Sequence, residues 1–214
     1  MIFRRGREKR IVEKMKQAPK PRTRLSPEAR KNQLLDVSKE MILAEGLHGF
    51  SIEALARTAG VSSPLVYNYF KSRLDTLQTL LHREYTQYSA RLREAMRSAA
   101  SFEEVVRINI ESNFDHYSPG NIIPILQSQP EIVSAITKEL DRNNKNLAKY
   151  LVQTTAETYN LQPRQAELVV SMSSGASVAA AGYASNGRVN RDKAIDAALR
   201  YILAGLEQAG RDEA

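Results

Sequence analysis

The stretch that decides the fold is Leu55–Phe70, LARTAGVSSPLVYNYF. It reads as the end of one short helix, a turn at Gly60, and a second short helix that begins within a serine pair. Glycine takes the left-handed backbone of a sharp turn without steric cost. Upstream, Ser51 offers a cap, and Phe50 before it can pack on Leu55 as a hydrophobic staple. Downstream, Pro64 at the first helical position favours Ser63 as the cap, whereas a Val61–Val66 staple favours Ser62, and both assignments stay open. A helix of about nine residues, a Gly turn and a second short helix make a helix-turn-helix. Ala56 is small where the two helices approach, Val61 fills the turn, and Leu55, Val66 and Phe70 supply the buried side.

That leaves Ser63, Pro64, Leu65, Tyr67, Asn68 and Tyr69 near the exposed, N-terminal part of the second helix. A segment built only to fill a core would not set Tyr67, Asn68 and Tyr69 side by side. In this motif that part of the helix enters the DNA major groove. Asn68 suits a base edge, adenine best of all. Tyrosine hydroxyls, Ser63 and a helix N-terminus suit phosphate oxygens, and the cap positions Ser51 and Ser62 join them as candidates. Arg73 opens the next helix and would add a charged phosphate clamp. The plainer alternative is a pair of short helices in a bundle that touches no DNA.

Helix signals repeat through the rest of the 214 residues, and strand signals are missing. Ser26-Pro27 starts a helix that carries Leu34, Val37, Met41 and Ile42 on one face and stops at Gly46. Ser72, with Asp75 three residues on, caps a longer one. Further helical segments are expected at about 101–117, 121–127, 130–158, 163–184 and 191–208, punctuated by Pro119-Gly120, Pro124, Pro130 and Pro163. The fold class is all-α. The expected division is a basic arm over 1–25, a helix-turn-helix domain over 26–72, and a larger helical domain over 73–214.

Charge sits unevenly. Residues 1–24 carry ten Lys/Arg against Glu8 and Glu13, giving +8 of the chain's net +7, and the remainder is close to neutral. Such an arm suits a polyanion, nucleic acid before membrane, since only Ile11, Val12 and Met15 could anchor it in lipid. A disordered solubilising tail, or a true start at Met15, remains the alternative. The absence of cysteine suits a reducing cytoplasm. No apolar run is long enough to span a bilayer, and the basic N-terminus lacks the apolar core of a secretory signal. A cytoplasmic protein is expected.

The stretch 52–81, IEALARTAGVSSPLVYNYFKSRLDTLQTLL, resembles the DNA-binding signature of the TetR family of transcriptional regulators. The matching positions are Leu55-Ala56, Gly60-Val61-Ser62, Tyr67-Asn68-Tyr69-Phe70, Arg73 and Leu77. The resemblance covers residues 26–81, and the rest is similar only in layout. Pro64 departs from a frequent Gly, and Arg73 from the customary Lys, which keeps the charge but not the geometry. The arm is also longer than is usual. The resemblance implies a homodimer on double-stranded DNA, each subunit reading one half of a pseudo-palindrome. A small molecule in the C-terminal domain would release it by favouring the arrangement that does not bind DNA. An activator of the same fold, or a low-specificity DNA-coating protein driven by the arm, is the alternative.

For the dimer, the small residues Ala176 and Ala180 and the stripe Ile195, Leu199, Ile202 and Leu206 are the candidates. The alternative is an intramolecular core of the same composition. For a partly apolar effector, Asn109, Asn113 and His116 recur on one helical face beside Tyr117, and Tyr150 and Met172 are further candidates. Equally, that face could simply be solvated. His48, His82 and His116 lack metal-ligand spacing, and no nucleophile motif or phosphate-cradling glycine loop is present. No enzyme, metal or cofactor is expected.

Overall fold

Serine hydroxyls start the helices. In the computed structural model, which describes residues 25–211, Ser26, Ser51, Ser72 and Ser101 each accept a bond from the backbone N–H three residues on, at 3.1–3.2 Å. Each satisfies a donor that the first helical turn would otherwise leave orphaned. Asp75 reaches back from the Ser72 cap and accepts from the Lys71 N–H at 2.7 Å.

Among the described residues the chain forms ten α-helices and no strand. They are α1 (Pro27–Glu45), then after a 3-10 turn at Leu47–Gly49, α2 (Ile52–Ala59), α3 (Ser63–Tyr67) and α4 (Arg73–Ser98). There follow α5 (Phe102–His116), α6 (Ile122–Gln127), α7 (Pro130–Val133), α8 (Thr137–Tyr159), α9 (Pro163–Ser185) and α10 (Arg191–Arg211). No helix among the described residues is long and apolar enough to cross a membrane.

Two apolar cores organise them. The first joins Leu34 and Ile42 of α1, Leu55 of α2, Val66 of α3 and Phe70 to Leu77 and Leu81 of α4. Ile122, Leu126, Ile132 and Ile136 complete it from the far side. Burying each such side chain is worth about 1.5–3 kcal/mol over leaving it in water. The division expected at 72/73 is therefore crossed by a continuous core, in which α4 and α6 pack on α1 and α7 packs on α4. The second core sets α5 (Val106, Ile110, Phe114) against α9 and α10.

One expected element divides. The segment 130–158 is not a single helix: α7 ends at Val133, and Ile136 leaves helical backbone at φ −122°, ψ 7° before α8 begins. Ile132 and Ile136 are both buried in the first core, at 2 % and 1 % exposure. Helical continuity is given up where both plug that core.

Polar ties connect α4 to α1, the helix that precedes the reader pair. Lys39 of α1 donates to Glu84 at 2.8 Å, and Arg83 holds Glu84 at 2.7 Å and Asp36 of α1 at 2.8 Å. Burial alone would push the Glu84 carboxyl up, but the bonds and charges of Lys39 and Arg83 outweigh it and hold the group below the usual carboxylate range.

Candidate DNA-reading surface and effector clefts

The turn between α2 and α3 is built as a Schellman motif. Gly60 sits at φ 66°, ψ 35°, its N–H bonds the Arg57 carbonyl at 3.2 Å, and Val61 N–H bonds the Ala56 carbonyl at 2.9 Å. The helix α3 then starts after Ser62, which takes the cap position without a side-chain cap bond. Val66 beneath it is fully buried. Of the two caps left open, Ser62 is the one realised, with Pro64 inside the first turn.

Packing decides which side chains α3 presents. Val66 and Phe70 are at 0 % and 1 % exposure, whereas Tyr67 is at 50 % and Asn68 lies exposed beside it. Ser62 and Pro64 are exposed, and Ser63 and Leu65 are half-buried. Tyr69 is half-buried and packs on the first core, so its ring faces inward more than its neighbours do. Ser51 spends an acceptor on the Ala54 N–H as a cap. Arg73 is committed further: its Nε donates to the Phe50 carbonyl at 2.9 Å and an Nη to the Leu47 carbonyl at 2.6 Å. It thus ties the start of α4 to the turn before α2, leaving only part of its guanidinium for a phosphate. Lys71, exposed beside it, is a cation that sequence reasoning passed over.

In the C-terminal half, α4 and α8 are pinned at one end. His82 meets Glu139 at 3.4 Å, and the Asn143 amide lies 3.5 Å from the Tyr85 hydroxyl and 3.4 Å from the Ser89 hydroxyl. Beyond the pin a cleft of about 690 Å³ lies between the two helices, with Asn109 and Asn113 of α5 in its lining. A second cleft of about 950 Å³ lies between α5, α8 and α9, and it too contains Asn109 and Asn113. Both lie in the size range of small-molecule sites.

Asn109, Asn113 and Tyr150 are thus brought together, and His116 and Tyr117 line an adjoining recess with Asn113 and Tyr88. Asn113 is partly committed, donating to Ser177 of α9 at 2.9 Å. Tyr88, not anticipated from sequence, has its phenol pushed above 10 chiefly by burial, so it stays neutral and can hydrogen-bond. The polar run Asn143, Asn144 and Asn146 on α8 was the available signal for the missed part of the lining.

Met172 does not join them. Five positions separate it from Ser177, about 140° around a helix, so it emerges on the other side of α9 at 63 % exposure. There it shares a groove of about 730 Å³ with Gly175, Ala179 and Tyr201. The expected dimer stripe packs largely within one chain. Ile195, Leu199, Ile202 and Leu206 are at 2–4 % exposure within one chain, packed on α5 and α9 with Ala176 and Ala180 beside them. They belong to the second core, and Ile202 and Leu206, with Ala176, also form the floor of the groove that holds Met172 and Tyr201. The large apolar side chains that α9 and α10 leave in solvent are Leu168, Met172, Val178, Tyr183 and Tyr201. Among the described residues, no three His, Cys, Asp or Glu side chains are placed to hold a metal ion.

Comparison with known proteins agrees with this geometry. The sequence profile described as "Bacterial regulatory proteins, tetR family" matches residues 34–77, the helix-turn-helix and its flanks. The HTH-type transcriptional activator FasR of Mycolicibacterium smegmatis is 23% identical over 188 residues, covering 86% of this chain and 85% of that protein. The fatty acid metabolism regulator protein of Bacillus subtilis is 26% identical over 119 residues, 56% of this chain and 61% of its own length. Among solved structures, the regulator FadR from Bacillus subtilis in complex with stearoyl-CoA superposes with a TM-score of 0.59 at 21% identity, covering 83% of this chain and 98% of that one. With a profile match on the motif itself and a shared fold across the remainder, residues 34–77 form a DNA-binding domain of the tetR type in a chain similar throughout to TetR-like transcriptional regulators.

Proposed function

We propose that this chain acts in the cytoplasm as a homodimeric repressor, released from a pseudo-palindromic operator by a ligand with a fatty-acyl chain. The observation that carries the DNA-reading part is the two-sidedness of the Val66–Phe70 segment: Val66 and Phe70 buried, Tyr67 and Asn68 exposed. Asn68 serves as the base reader, while Tyr67, Ser62, Ser63 and Lys71 meet phosphates and set the register. Arg73 holds the α1–α2 turn in place and offers its remaining donors to the backbone.

The dimer face is assigned to the outer surface of α9 and α10. Leu168, Met172 and Tyr201 are each more than 60 % exposed there, and Gly175 and Ala179 leave room for a partner helix to approach. The ligand class is supported by the relatives named for fatty-acid metabolism and stearoyl-CoA, together with clefts that offer apolar floors and a few convergent amides. A second reading, activation in place of repression, is favoured by one observation, that FasR is named an activator.

Footprinting of the purified protein on the intergenic DNA flanking its own gene tests this. A protected pseudo-palindrome that is lost when stearoyl-CoA is added supports the repressor. Protection strengthened by that ligand selects the activator. Diffuse protection without a repeated half-site overturns the dimeric operator reading.

A further inference from the structure

Two clefts flank α8, and they differ in charge. The cleft between α5, α8 and α9 has an apolar floor that includes Leu151, Val152 and Val170, and its charged lining is Lys149 against Glu157 and Glu167. The cleft between α4 and α8 holds Arg93, Arg97 and Arg142 against Glu139 alone. Glu139 is already engaged by His82 at 3.4 Å. Arg97 is paired with Glu94 at 2.8 Å, whereas Arg93 turns only its Nε to the Ser89 carbonyl at 3.2 Å, and Arg142 lies exposed at the rim. The two clefts share Asn109, Asn113, Asn144 and Leu147. One molecule can therefore run from the first into the second.

We propose that the α4/α8 cleft takes the phosphate-bearing head of an acyl ligand whose chain lies in the α5/α8/α9 cleft, with Arg93 and Arg142 as head-group ligands. This rests on the fatty-acyl reading above and adds the polarity of the ligand and the residues that read its head. The reversed orientation would set phosphates beside Glu157 and Glu167 and leave three guanidiniums facing a hydrocarbon chain. Guanidinium groups match phosphate oxygens two at a time, a geometry that a single ammonium cannot offer. Because the arginines stand at an open rim, their attraction is screened by salt and moderate in size. The head would lie between the two helices that Asn143 pins together through Tyr85 and Ser89, so its arrival bears on the part of α4 that also carries Arg83 and Glu84.

Calorimetric titration of the full-length protein with stearoyl-CoA, stearate and CoA tests the proposal, on the wild type and on the double variant R93Q/R142Q. The wild type is expected to prefer stearoyl-CoA over stearate by about tenfold, a difference of about 1.4 kcal/mol, and to lose part of that preference in high salt. The double variant is expected to bind stearoyl-CoA about tenfold more weakly, while its stearate affinity, melting temperature and ligand-free DNA binding stay at wild-type values. Equal affinity for stearate and stearoyl-CoA, unchanged in the variant, overturns the head-group site and leaves the acyl reading standing. Arginine-dependent binding of CoA with no gain from the stearoyl chain supports the head-group site and overturns the acyl reading. Binding of none of the three overturns both.

Discussion

Replacing Glu84 by Gln should loosen the joint between α1 and α4. In the native chain Glu84 Oε2 accepts from Lys39 at 2.8 Å, and Oε1 accepts from two nitrogens of Arg83, at 2.7 and 3.1 Å. Glutamine keeps one acceptor and removes the charge. A bond to a charged group is worth about 1.5–3 kcal/mol. The loss here is smaller, because the Lys39 side chain is 35 % exposed and regains water, and Arg83 keeps Asp36 at 2.8 Å. About 1–2 kcal/mol is therefore expected. For a chain of this size that lowers the melting temperature by about 2–8 °C.

The pH dependence carries a sign. The folded-state carboxyl titrates below its ordinary value of 4.5, so its contribution is fully present above that value and is lost as pH falls through the depressed one. The wild type and Glu84→Gln should thus differ at pH 7 and converge in strong acid. Thermal melts followed by circular dichroism between pH 3 and 8, with Lys39→Met and the double variant closing a cycle, provide the check. A coupling near zero at pH 7, or a difference that persists unchanged in acid, refutes the reasoning.

Four further outcomes are expected. Asn68→Ala should relax preference at one base position of each half-site by about 1–3 kcal/mol, whereas Tyr67→Phe should weaken all sequences alike, as read by competition binding on a randomised operator library. Met172→Glu with Tyr201→Glu should shift the protein from dimer to monomer in light scattering without unfolding it. Leu199→Ala, in the second core, should instead cost about 2–5 kcal/mol of stability in chemical unfolding. Removal of residues 1–24, which lie outside the described residues, should weaken DNA binding and flatten its dependence on salt while leaving the preferred sequence alone; an unchanged salt slope would exclude the arm from the interface.

The helix-turn-helix was legible because its signals are local. A serine cap acts on an amide three residues away, Gly60 takes its φ from its own lack of a Cβ, and the Phe50–Leu55 staple closes within one turn. The effector region was legible only in part. The spacing of Asn109 and Asn113 places them on one face of α5, and they do enter the clefts. Their partners Tyr88, Arg142 and Asn144 come from α4 and α8, at separations along the chain that no periodicity links.

The sequence by itself determined the all-α class, the reader motif and nearly every helix boundary, because capping, glycine conformation and the period of an amphipathic stripe are set by residues a few positions apart. Only the tertiary structure decided what each buried face packs against. Ile195, Leu199, Ile202 and Leu206 announce an apolar stripe, yet a stripe has the same sequence whether it meets another chain or its own α5 and α9. The same holds for Arg73, whose guanidinium is spent on carbonyls 23 and 26 residues upstream, and for Met172, turned away from the clefts by the angle at which α9 packs. Burial is written in composition and period, but its partner is chosen by the arrangement of helices in space.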